Sequence, residues 1–155
     1  MKLQKATRFA LYAALELASD PERQFSAADI AERYDISGHH LSKVLRTLGR
    51  AGLVEALRGA GGGYRFRANA RRVTLLDVIE LFEDVGSAGR EGREPGSRTA
   101  EGRALGRVLG EVDEIARATL GSITIATMHK LVERERGEQP ARKSARQAVV
   151  ERVEG

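Results

Sequence analysis

The chain has 155 residues, of which 41% are hydrophobic and 31% charged, enough apolar content for one modest core and too much for a disordered polymer. It contains no cysteine, which excludes disulfides, thiolate zinc sites and cysteine-ligated iron–sulfur clusters. The formal charge of +4 is unevenly spread: residues 1–72 carry 13 Lys plus Arg against 7 Asp plus Glu, residues 73–155 carry 13 against 15, so the positive charge sits on the first half, where it suits a polyanion.

The opening stretch, MKLQKATRFALYAALELAS, has the basic start and apolar run of a secretory signal. Arg8 and Glu16 interrupt that run and Leu11, Tyr12 and Leu15 recur at helical spacing, so the segment from about Lys5 to Ala18 reads instead as an amphipathic helix. No apolar run approaches the length of a membrane span, and the expectation is a cytoplasmic protein with no membrane partner. Phe9, Ala10, Ala13 and Leu17 fall on one side of this helix, Leu11 and Leu15 on another. A helix apolar nearly all round needs two neighbours; the second is either more of the same core or a helix from a partner subunit.

Asp20 and Pro21 break the helix. Ser26 is then placed as an N-cap with Asp29 three residues on, a carboxylate form of the capping box, and Ile30, Ala31 and Tyr34 form the inner face of a short second helix. Asp35, Ile36 and Ser37 make a tight turn into a third helix from about Gly38 to Arg50. In it Leu41, Val44, Leu45 and Leu48 stand at i, i+3, i+4 and i+7 and share a core face. His39, His40, Ser42, Lys43, Arg46, Thr47 and Arg50 remain on the other side, a row of donors and cations suited to base edges and phosphates in a major groove. Ser37 caps this helix, and its hydroxyl is placed to touch a phosphate.

Beyond Gly52, LVEALR and YRFR are two short alternating segments around Gly59, Ala60, Gly61, Gly62 and Gly63, which predicts a hairpin with a glycine tip. The run matches no nucleotide-loop pattern and joins strand to strand, not strand to helix. Arg58, Arg65 and Arg67 flank the tip, where a wing lying along a duplex would set them on the backbone or in the minor groove; Tyr64 and Phe66 alternate with them as core. Two helices at a tight turn followed by such a ribbon form a winged helix-turn-helix.

Thr74, with Asp77 at the third position, caps a further helix whose apolar surface is Leu76, Val78, Ile79, Leu81 and Phe82. The composition then changes, and residues 86–102 offer almost nothing to bury, reading as a flexible loop. A long helix follows from about Ala104 to Leu120, with Leu105, Val108, Leu109, Val112, Ile115 and Leu120 on one stripe and Arg107, Glu111, Asp113, Glu114 and Arg117 opposite. A one-sided stripe outside the compact unit is the kind that pairs with a partner helix. A last short helix and a polar tail complete the chain. The expected organisation is a DNA-binding domain over 1–85, a loop over 86–103, a dimerisation region over 104–136 and a disordered tail over 137–155. The fold class is mainly α with a small two-stranded β wing.

His39, His40 and His129 are the only histidines. Neighbours on a helix project about 100° apart and do not readily share an ion, so the pair reads as DNA contacts, His129 as a surface residue, and no metal or cofactor is expected. Nothing invites an enzymatic reading: there is no cysteine, no clustered His and carboxylate motif and no nucleotide loop.

The phrases RFALYAALELA, SAADIAERYDIS, HLSKVLRTLGRAGLVEALRGAGGGYRF, VTLLDVIE and LGSITIATM stand in an order and spacing similar to the Rrf-two (IscR- and NsrR-like) family of bacterial transcription regulators, over roughly residues 1–132. The resemblance implies a homodimer joined by the long helix, with one winged domain on each half-site of a partly palindromic operator. It implies that Ser37, His39, His40 and Lys43 lie on the reading helix and that Arg58 is a wing arginine entering the minor groove. Many members hold an iron–sulfur cluster through three cysteines before the dimer helix. The corresponding positions here are near Ala88, Glu94 and Ala100, with Arg103 where some relatives have a histidine and Arg8 where some use a carboxylate; none replaces a thiolate. The expectation is therefore a cluster-free, dimeric, sequence-specific repressor or activator, with any small-molecule or protein effector left open. The alternative is a winged protein-interaction module with only non-specific affinity for DNA.

Overall fold

The computed structural model describes residues 1–86 and 95–137. Its elements are α1 (Lys5–Ser19), α2 (Ala27–Tyr34), α3 (Gly38–Arg50), β1 (Val54–Leu57), β2 (Gly63–Phe66), α4 (Leu75–Ile79) and α5 (Ala100–Ser122), followed by a helix over 125–137, here α6. The fold is mainly helical with one two-stranded antiparallel sheet.

α1 is the axis of the core. Ala10, Ala13, Ala14 and Leu17 are fully buried on it and meet Leu41, Val44, Leu45 and Leu48 of α3; small alanines on one helix let the leucines of the other seat closely. Phe9, Leu11 and Leu15 are half-buried around the rim. A second neighbour for α1 comes from this same chain, since the ring of His129 on α6 is hydrogen-bonded through Nε2 to the carbonyl of Leu15 at 2.9 Å. His129 is thus no free surface residue: a helix 114 positions downstream returns to cover α1. The return is made by a short ladder in which Leu75 donates to Ile123 and Ile125 to Val73, each at 2.9 Å, and it carries Ile125 into the core with no exposure at all.

Both helices of the helix-turn-helix end in the same device. Asp35 adopts a left-handed backbone (φ 51°), and the Ile36 N–H reaches back to the Ala31 carbonyl at 2.9 Å. After α3, Gly52 takes the left-handed position (φ 76°) and the Leu53 N–H bonds the Leu48 carbonyl at 3.0 Å. In each case a buried aliphatic residue follows the turn and fixes the exit of the chain. Ser26, Ser37 and Thr74 all accept N-cap bonds, from Asp29, His40 and Asp77, and Thr74 with Asp77 forms the reciprocal capping box. α4 is shorter than its apolar sequence predicts, stopping at Ile79 and continuing as turns to Phe82.

In the hairpin Val54 faces Phe66, Glu55 faces Arg65, Ala56 faces Tyr64 and Leu57 faces Gly63. Phe25 adds a bridge on the outer side of β2, exchanging bonds of 2.9 and 2.8 Å with Tyr64. That approach is why residue 63 is glycine: a Cβ there would lie 2.5 Å from the Phe25 carbonyl oxygen.

α5 starts at Ala100, one turn earlier than its apolar stripe suggests, because the Thr99 side chain caps it by accepting from the Gly102 N–H at 3.0 Å. Residues 87–94, which include the positions of Ala88 and Glu94, and the tail over 138–155 lie outside the described residues.

Candidate nucleic-acid interface

α3 is held by its apolar face and by its cap, so its opposite face is presented to solvent in a fixed register. Ser37, His39, His40, Ser42, Lys43, Arg46 and Arg50 are all exposed. The Ser37 hydroxyl accepts from the His40 N–H at 3.3 Å, and its O–H donates to no group among the described residues. The His39 and His40 rings stand 6.2 Å apart and tilted by 46°, so they project as two separate donors. Thr47 is half-buried, and its hydroxyl donates back to the Lys43 carbonyl at 3.2 Å, a local bond that competes with any outward contact.

A cleft of about 570 Å³ separates this helix from the hairpin, with Ser42 and Arg46 on one wall and Glu55, Tyr64 and Arg67 on the other. Arg65, one of the three arginines flanking the tip, is ion-paired through Nε to Glu55 across the strand pair. Register explains it: cross-strand partners share a face of the sheet, and a carboxylate opposite a guanidinium pairs with it. Arg58, at the start of the tip, and Arg67, beyond β2, are exposed and in none of the ion pairs found among the described residues. Arg67 was legible as one of three flanking arginines; what sequence could not rank was which of them is engaged by Glu55. The glycine tip itself is demanded by the backbone, since Gly59 and Gly61 have φ of 102° and 77° and a Cβ on Gly62 would lie 2.5 Å from the Leu57 carbonyl oxygen.

The first helix of the motif is tied to α1 by a polar cluster. Tyr34 stacks on Tyr12 with centroids 5.1 Å apart, donates its hydroxyl to Glu16 at 2.6 Å, and Glu16 is ion-paired with Arg33 at 3.1 Å. Burial, reinforced by the bond to Glu16, pushes the Tyr34 hydroxyl up to about 12.

Among the described residues nothing covers the stripe on α5. No residue of α5 is buried; Leu105, Val108, Leu109, Val112 and Ile115 are 54–68% exposed, and Leu120 at the base is half-buried.

Helix, cleft and glycine-tipped ribbon together define a winged helix-turn-helix DNA-binding protein. Its relatives narrow the class. A family model for Rrf2, described as an iron-dependent transcriptional regulator, matches residues 3–131, and the chain belongs to that family. It is 54% identical over 136 residues to the protein named putative HTH-type transcriptional regulator BadM of Rhodopseudomonas palustris, covering 88% of this chain and 86% of that one. Among solved structures it is similar to IscR of T. potens (TM-score 0.66, 28% identity, 87% of this chain and 90% of that one). It is likewise similar to CymR, the global cysteine regulator of B. subtilis (TM-score 0.70, 26% identity, 84% and 98%). The chain is accordingly a DNA-binding transcription regulator and not an enzyme.

The iron of the family description does not fit these residues. A thiolate-bound cluster has no cysteine to hold it anywhere in the sequence, and among the described residues no group of three or more His, Asp and Glu converges on a point. Ala100 opens α5 without a donor atom, Arg103 turns its guanidinium to the Arg98 carbonyl at 2.5 Å, and Arg8 is an exposed cation on α1. Among the described residues no helix is long and apolar enough to cross a membrane.

Proposed function

We propose that this regulator binds as a homodimer to a partly palindromic operator, one winged unit per half-site, in the cytoplasm and without an iron–sulfur cluster. The observation that carries the reading is the pairing of two unsatisfied surfaces on one chain: an exposed donor row on α3 and an exposed apolar stripe on α5. A stripe of five large aliphatic side chains, each 54–68% exposed, favours burial against its own copy, with each contributing roughly half or more of the ~1.5–3 kcal/mol that full burial gives. His39, His40, Lys43 and Arg46 are assigned to base edges, where each good pairing contributes about 1–3 kcal/mol of discrimination. Ser37, Arg50 and Arg58 are assigned to phosphate or groove contacts, with Arg67 added to them. Arg65 and Thr47, each already engaged within the chain, contribute less.

Selection of bound duplexes from a random pool tests the reading, and a dyad-symmetric consensus is the expected product. Arg46→Ala should then weaken binding to that consensus and relax preference at one position of each half-site. Arg58→Ala should weaken all duplexes alike and lower the salt slope of binding by about 1 for each phosphate it ceases to neutralise. Affinity without sequence preference that disappears at moderate salt would favour a protein-interaction module.

A further inference from the structure

The long helix leaves the winged unit at its base, and a second attachment holds it. At the base the ladder between Val73–Leu75 and Ile123–Ile125 fixes where α5 ends, with Gly121 against the side chain of Leu76. It does not fix where α5 points, because the last turn is followed at once by Ile123 in an extended conformation (φ −101°, ψ 110°), whose two soft dihedrals separate helix from ladder. One turn outward, Arg117 donates through Nη1 to the carbonyl of Val85 at 2.7 Å and through Nη2 to the carboxylate of Glu80 at 2.5 Å. A further turn outward Gly86, at φ 91°, runs so close to Asp113 that a Cβ on it would meet the Asp113 Cβ at 3.1 Å. The ledge that Arg117 grips is itself part of the winged unit: Val85 is buried, Phe82 packs on the core, and the Glu83 carboxylate receives the Gln4 N–H at 3.2 Å.

We infer that Arg117 is the positioning residue that sets the angle between the long helix and the winged unit, and through that angle the half-site spacing the dimer accepts. The inference rests on the dimer reading above. The centre of the apolar stripe lies roughly 16 Å along α5 from Gly121, so a swing of about 10° displaces it by about 3 Å, close to the rise of about 3.4 Å between base pairs. Arginine is suited to the task because its planar fork meets two acceptors in one fixed orientation, where a lysine offers a point charge. With both partners more than a third exposed, the pair contributes little to stability; its contribution is direction.

The test uses the full chain and duplexes selected by the wild-type protein, remade with the dyad lengthened or shortened by one base pair. Wild type is expected to discriminate against either change by about tenfold or more, spacing being a geometric property of such dimers. Arg117→Gln should remain dimeric by sedimentation, melt where wild type melts and bind the selected duplex, yet discriminate between spacings by about threefold or less; Arg117→Lys should restore only part of the preference. Should Arg117→Gln not fold, Glu80→Gln, which removes the charge from the other side of the same pair, carries the same expectation. A folded, dimeric variant that keeps the wild-type discrimination overturns the inference and leaves the dimer standing. A monomeric wild type, or a selected sequence without a dyad, overturns the dimer reading and this inference with it.

Discussion

The winged unit and the long helix use the same kind of amphipathic pattern to opposite ends. In α3 the apolar stripe of Leu41, Val44, Leu45 and Leu48 is almost wholly buried against α1, whereas in α5 the stripe of Leu105, Val108, Leu109, Val112 and Ile115 is left in solvent. Periodicity states that a face must be covered, and says nothing of what covers it. The difference lies in the neighbours: α3 sits between tight caps within a few residues of other elements, while α5 runs about 34 Å and its contacts with the winged unit lie in its C-terminal half, at Gly121, Arg117 and Asp113.

The contrast is broken most sharply by making one change in both places. Leu45→Ala empties a fully buried site and should cost about 2–5 kcal/mol in urea unfolding, to the same extent at every protein concentration. Leu109→Ala should leave the concentration-independent part within about 0.5 kcal/mol of wild type, as for an exposed site. It should instead weaken self-association, so that the stability added by dimerisation is lost at a higher protein concentration than in wild type. Equal destabilisation at both positions would mean the two stripes are equivalent within one chain.

A smaller effect sharpens the picture of the core itself. The Thr7 hydroxyl is fully buried and has no hydrogen-bond partner among the described residues, so Thr7→Val, nearly equal in shape, should raise stability by about 1 kcal/mol. A drop in stability on calorimetry would show the hydroxyl to be satisfied after all. The smallest effect is expected in the alkaline pH dependence that Tyr34 imposes on stability. Its hydroxyl holds its proton up to about 12 in the fold against 10 when free, so the native state binds that proton more tightly. Its contribution is complete below pH 10 and is lost as pH rises through 12. Tyr34→Phe should flatten that part of the stability curve relative to wild type; an unchanged slope would disconnect the Tyr34–Glu16 bond from folding.

Local chemistry made much of this molecule readable in advance. Ser26, Ser37 and Thr74 announce helix starts because their side-chain oxygens accept from the backbone N–H groups that the first turn of a helix leaves without partners. The aliphatic spacing of α3 fixes its inner face and, by subtraction, the donor row outside. The glycine tip follows from backbone angles that other residues avoid. All of these are relations between residues a few positions apart. Contacts between residues far apart were decided by the tertiary structure alone. His129 is just another helical residue until α6 returns to Leu15, and Ile125 is just another aliphatic until the ladder with Val73 carries it inward. Arg65 and Arg67 differ only because one stands opposite Glu55. Arg117, placed by pattern on a solvent face, meets Glu80 and Val85 only because α5 docks at its base. The sequence alone determined which faces are apolar, which ends are capped and that no thiolate can bind iron. Which apolar face finds its cover within the chain, and which cation is already paired, depends on distances that periodicity does not encode.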